Sequence, residues 1–168
     1  MPKSRKNILT GRRAVLKSKR RGNGGSRTRT ISISATNVYK TIVPSFLNML
    51  NTVKLYHWKT LSYATHKATD DLYGKLNEKL DEFVEVMLGK GEIAAGKNRD
   101  NLLNVQLIKL TPFSNNAEFK KQIEYYISFL LALSNNATFN VLMNVDLLAI
   151  RDEIVATFNQ FLYLLTLN

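Results

Sequence analysis

Residues 57–85 read HWKTLSYATHKATDDLYGKLNEKLDEFVE, and this stretch decides the fold. It holds both histidines of the chain, His57 and His66, and three acids at regular distances beyond them. From His66 the steps to Asp70, Asp81 and Glu85 are 4, 11 and 4 residues. Four residues return to one face of an α-helix, and eleven turn through roughly 1,100°, about 20° from whole turns. A helix here therefore carries His66, Asp70, Asp81 and Glu85 on one stripe. His57 lies on the apolar stripe of a preceding helix, with Phe46, Leu50 and Val53 at helical spacing. A short turn then brings His57 close to His66.

Helix rise divides this set. Asp70 and Asp81 stand ~16 Å apart along a helix, too far for one ion to touch both. His57, His66 and Asp70 form one half-site, and Asp81 with Glu85 the other. Two copies of the helix paired antiparallel about an axis near Gly74 to Leu76 would join each half to its complement. Gly74 would permit close backbone approach there. The expected product is a symmetric dimer with two identical nitrogen–oxygen sites, a donor set suited to iron, zinc or manganese.

Working outward, the rest of the body also has the helical period. Its three prolines are Pro2, Pro44 and Pro112, and the clearest strand-like stretch is Ile31 to Ile33. A first helix is expected from Pro44 to Leu61, with an earlier turn from Ala35. A second is expected from Thr65, as N-cap, to Leu88, stopped by Gly89 and Gly91. Residues 90–114 form a mixed connection with a short helix at 99–107. A third helix spans Asn116–Leu133 and a fourth Asp146–Leu165. The expected fold is all-α: a four-helix bundle, with a long connection that lets the second and third helices run parallel.

Charge sets the first residues apart. Residues 1–30 contain eleven Lys or Arg and no acid, so the formal excess of +11 lies there and the remainder is neutral. Such a block is expected to be disordered, giving a basic tail at 1–34 and a helical domain at 35–168. Arg12, Arg13, Lys17, Lys19, Arg20, Arg21, Arg27 and Arg29 are candidate phosphate contacts for DNA or RNA, without sequence readout. No aromatic residue lies among them, so base stacking is not indicated. A solvated arm, an organelle transit peptide and, at Lys17 to Arg21, a nuclear localisation signal are the other readings. Cysteine is absent, which removes disulfides, thiolate metal ligands and cysteine nucleophiles. The longest apolar run, Tyr125 to Leu133, is shorter than the ~20 residues of a membrane span, and no secretory signal is expected at the start.

Single residues keep blander readings. His57 is either a ligand or a core histidine. Asp81 and Glu82 are either functional acids or exposed partners of Lys75, Lys79 or Lys90. Trp58 reads as a packing residue, Tyr125, Tyr126 and Tyr163 as core or interface residues, and Asp152 and Glu153 as surface acids on the fourth helix rather than cavity-facing ones that attract cations.

The run from His57-Trp58 through His66 and Asp70 to Asp81 and Glu85 resembles the ferroxidase segment of the Dps miniature ferritins. It is most similar to small ferritin-like proteins of phages and large DNA viruses. The resemblance covers Tyr56 to Glu85 and implies a ferritin-like bundle. It implies that His57, His66 and Asp70 bind iron with Asp81 and Glu85 of a two-fold mate. It further implies oxidation of Fe(II) by peroxide or oxygen, ferric storage in a hollow dodecamer and, through the tail, DNA binding. An intracellular setting, in host cytoplasm or nucleoid or in a virion, goes with it. The Glu-x-x-His motif of larger ferritins is absent, which excludes their intrachain di-iron centre. The alternative function is a structural nucleic-acid-binding or virion-associated protein of the same fold without turnover.

Overall fold

The computed structural model describes residues 38–90, 99–106, 108–136, 139 and 141–167. The basic tail, the turn expected from Ala35, the strand-like Ile31 to Ile33 and the stop expected at Gly91 lie outside the described residues. Among those described, the regular structure is entirely helical, with no strand.

Four long helices carry the domain. Helix α1 spans Tyr39–Lys59, α2 Tyr63–Leu88, α4 Asn116–Ala132 and α5 Val145–Leu164; a short α3 spans Arg99–Leu103. The first helix starts earlier than expected, and Pro44 sits inside it rather than opening it. Proline removes one intrahelical donor at that point. The carbonyl it leaves without that donor belongs to Lys40, which is exposed to water.

Local chemistry sets the other helix ends. Thr60 turns extended (φ −66°, ψ 138°) and closes α1. Ser62, not Thr65, caps α2: its Oγ accepts from the Thr65 backbone N–H at 3.3 Å. Thr65 is instead a buried residue of the first turn. Both hydroxyls satisfy N-cap chemistry, so the choice depends on which one the packing leaves at the surface. At α4, Asn115 Oδ1 accepts from Glu118 N–H at 2.9 Å, while Glu118 Oε2 accepts from Ser114 N–H at 2.9 Å. This reciprocal arrangement satisfies two amides at the helix start.

One apolar core joins the four helices. From α1 come Ile42, Phe46, Met49, Val53 and Tyr56; from α2 come Leu72, Leu76, Leu80, Phe83 and Met87. Phe119, Ile123, Tyr126 and Leu130 of α4 face Leu147, Ile154, Phe158 and Phe161 of α5. Burying each large side chain stabilises the fold by roughly 1.5–3 kcal/mol. Phe46 meets Phe83 edge-on at 5.1 Å, and Tyr56 stacks on Phe119 at 4.0 Å. Leu50, expected on the buried stripe, is only half-buried, and Met49 takes the innermost place.

Cross-links give the helix directions. Phe46 meets Phe83, so α1 and α2 are antiparallel. Lys75 with Gln160, Lys79 with Glu153 and Lys90 with Asp146 run α2 against α5. Tyr126 with Phe158 and Phe119 with Phe161 run α4 against α5. Helices α2 and α4 are therefore parallel, so the end of α2 and the start of α4 lie at opposite ends of the four-helix unit. A short connection joins antiparallel neighbours, whereas parallel ones need a return path.

Candidate metal centre

The three-residue turn Thr60–Ser62 places the end of α1 against the start of α2. It brings the two histidine rings face to face, 3.9 Å between centroids. His57 Nδ1 lies 3.1 Å from the His66 carbonyl oxygen, and His66 Nδ1 lies 3.1 Å from the His57 carbonyl oxygen. A carbonyl only accepts, so each Nδ1 carries a proton and donates it. The two residues tether each other through their backbones. Thr69 Oγ1, bonded to the carbonyls of Thr65 and His66, also stands 3.2 Å from His57 Nδ1.

That arrangement fixes which nitrogen is free. With Nδ1 protonated and neutral imidazole, the lone pair of each ring sits on Nε2. Metal-binding histidines show this same division, the far nitrogen held by a carbonyl or carboxylate. His57 is buried at 7 % exposure, yet its Nε2 lies 3.9 Å from Asp70 Oδ1. A proton on Nε2 or a cation between the two atoms would make this approach favourable. With ligand bonds of about 2.0–2.2 Å, one ion could touch both atoms at a wide angle, and a closure on the order of half an ångström would bring that angle to the tetrahedral one.

Asp81 and Glu85 are exposed further along the same helix. Neither carboxylate takes an ion pair or hydrogen bond among the described residues. The lysines do pair, but with other partners: Lys79 bonds Glu82 at 2.9 Å and Glu153 at 2.7 Å, and Lys90 bonds Asp146 at 2.6 Å. Those two carboxylates raise the Lys79 pKa above its usual value. Asp152 lies 2.7 Å from Nε of the buried Arg151, off the hydrogen-bond axis. Asp152 and Glu153 are thus surface acids, as expected.

The structure sets His57 against His66 and puts its Nε2 3.9 Å from Asp70 Oδ1, and it leaves Asp81 and Glu85 exposed further along α2. Among the described residues, no three histidine or acid side chains are grouped closely enough to hold an ion. Asp81 also borders a groove of about 340 Å³ between α1 and α2, lined by Val43, Phe46, Leu47, Leu50 and Val84. Beside Gly74 there is open space where a Cβ would stand. Trp58, expected to pack, is 69 % exposed; Tyr125 and Tyr163 are exposed as well, and Tyr126 alone of the three tyrosines is in the core.

Two participants escaped the sequence reading. Lys54 lies one helical turn before His57, with Nζ 4.0 Å from Asp70 Oδ1. Thr69, one turn after His66, supports His57. Spacings of three residues from the histidines carried both signals, but lysine and threonine are too common on helices for spacing alone to single them out. The basic residues Arg12 to Arg29 lie outside the described residues.

No helix among the described residues is long and apolar enough to cross a membrane. Residues 57–165 match a family described as one of unknown function, DUF5856. No curated protein and no solved structure matches the chain.

Proposed function

The chain belongs to the DUF5856 family, and from that premise we propose that it is a Dps-like miniature ferritin that oxidises Fe(II) at a site shared between two subunits and stores the ferric product. The observation that carries this reading is the reciprocal tether of His57 and His66. It engages both Nδ1 protons with backbone carbonyls and leaves His57 Nε2 3.9 Å from Asp70 Oδ1. The order of contacts, α1 to α2 to α5 to α4, with α2 parallel to α4, supports a ferritin-like four-helix bundle with a crossover.

In this reading His57, His66 and Asp70 of one subunit bind ferrous iron together with Asp81 and Glu85 of its mate. The unpaired state of Asp81 and Glu85 and the apolar groove beside Asp81 support a second copy on this face. The nitrogen donors accept a ferrous ion, and the carboxylates stabilise the added charge after oxidation. Each Fe(II) loses one electron, so two Fe(II) reduce each peroxide, which takes up two electrons and two protons and becomes two waters. Asp70, Asp81 and Glu85, all exposed, are placed to relay those protons. Shells of two-fold dimers up to a dodecamer, and DNA held non-specifically by Arg12, Arg13, Lys17, Lys19, Arg20, Arg21, Arg27 and Arg29, complete the proposal. Other divalent metals suit the same donors. The setting is intracellular, in host cytoplasm, nucleoid or virion.

Stopped-flow Fe(II) oxidation on the purified protein tests it, beside His57→Ala combined with Asp81→Ala. Wild type should oxidise iron well above the buffer rate and the double variant should not. Equal rates at the buffer level would end the ferroxidase reading. The charge asymmetry of the chain favours one second reading, a nucleic-acid-packaging protein of this fold without turnover. It predicts gel-shift binding with a steep salt slope that disappears when residues 1–30 are deleted.

A further inference from the structure

Lys54 projects from α1 into the same corner as His57 and Asp70. Its side chain is 30 % exposed, its Nζ lies 4.0 Å from Asp70 Oδ1, and His57 Nε2 addresses that same oxygen at 3.9 Å. The ammonium also stands over two rings, 4.6 Å from the Tyr73 centroid and 5.9 Å from that of Trp58. An ordinary exposed lysine–carboxylate pair is mobile and contributes little. This ammonium is confined, because a ring from each helix and one carboxylate bound its position.

The distances define a role. At 4.0 Å the ammonium is outside hydrogen-bonding range of Asp70, so the attraction is Coulombic and no hydrogen bond is broken when the two part. The aromatic faces give the charge a place to remain nearby. An ion entering between His57 Nε2 and Asp70 Oδ1 would meet a positive charge already opposite the same oxygen. We propose that Lys54 is a resident counter-cation to Asp70, which an incoming divalent ion must displace, so that its charge sets the metal affinity of the site. It is a positioning residue that acts through Asp70, and the proposal rests on the metal-site reading above. The fixed charge keeps Asp70 neutralised when no ion is bound and holds the affinity low enough for ions to leave again.

Calorimetric titration of the full-length protein with Zn²⁺ tests this, with sedimentation confirming that wild type and variants have the same assembly mass. Lys54→Met keeps the stem and removes the charge; it should bind Zn²⁺ at least about fivefold more tightly, the ratio that one unit charge at this range gives even under water-like screening. Lys54→Arg retains the charge and should stay near wild type. A purely structural role would predict no such restoration by arginine together with tightening by methionine. Zn²⁺ binding of equal or lower affinity in Lys54→Met, or tightening in Lys54→Arg as well, would overturn the role of Lys54 while leaving the metal site standing. Absence of Zn²⁺ binding in every form would overturn the metal site and Lys54 with it.

Discussion

Thr69 is the residue on which the candidate centre turns, though it binds nothing itself. Its hydroxyl links Thr65, His66 and the His57 ring. Supports of this kind set a ligand's tautomer and orientation, and their loss costs roughly 10–100-fold in metal affinity. Thr69→Val keeps the shape and deletes the hydroxyl. It should preserve the far-ultraviolet circular dichroism and weaken Zn²⁺ binding at least tenfold; unchanged binding would show that the two backbone tethers suffice. Phe83 makes a contrasting case, because it is fully buried against Phe46. Phe83→Ala should cost about 3–5 kcal/mol in urea unfolding. The stripe of His66, Asp70, Asp81 and Glu85 was readable in the sequence because spacing alone sets the face of a helix. The direction in which each imidazole points was not readable, because it depends on carbonyls of the neighbouring helix.

Helix ends carry the predictions at the next scale. Ser62 accepts the one side-chain bond that caps α2, at the long distance of 3.3 Å. Ser62→Ala should therefore lower stability by about 0.5–1 kcal/mol, and Ser62→Gly by less; equilibrium denaturation would measure both. At the start of α5, Asp146 accepts from Lys90 at 2.6 Å and from Leu147 N–H at 2.9 Å. The Lys90 hydrogen bond, first, holds its carboxyl below the usual value; desolvation opposes it, and the Leu147 amide and the Lys90 charge add to the lowering. A depressed carboxylate stabilises the fold above the unfolded pKa of about 4 and loses that contribution as pH falls through its lower folded value. The pair is largely exposed, so Asp146→Asn should cost only ~0.5 kcal/mol at neutral pH, and nothing at about pH 2. A cost that persists in acid would mean that the charge is not its source.

For the whole molecule, the proposed dimer rests on the face where α1 and α2 form the groove beside Asp81. Leu47, at 38 % exposure, lines the groove beside Asp81 without entering the core. Leu47→Glu should leave the single chain folded but abolish self-association, and with it metal binding, as read by sedimentation at rising Zn²⁺. A dimer that survives the added charge would place the two-fold contact elsewhere. The all-helical class, the four long helices and the return connection before α4 could be read from periodicity and loop length, both properties of nearby residues. The start of α1 could not, because Pro44 marks a helix start only by local preference, and packing of Val38 and Ile42 into the core extends the helix past it. Thr65 likewise lost the cap to Ser62 when burial claimed its side chain. The sequence by itself determined the helices, their faces and the order of His66, Asp70, Asp81 and Glu85 along one stripe, since these follow from rise and rotation along one chain. Only the tertiary structure decided that His57 and His66 tether each other, that Lys54 stands 4.0 Å from Asp70, and that the Asp81 and Glu85 carboxylates stay unpaired among the described residues, because each depends on which atoms of separate helices meet.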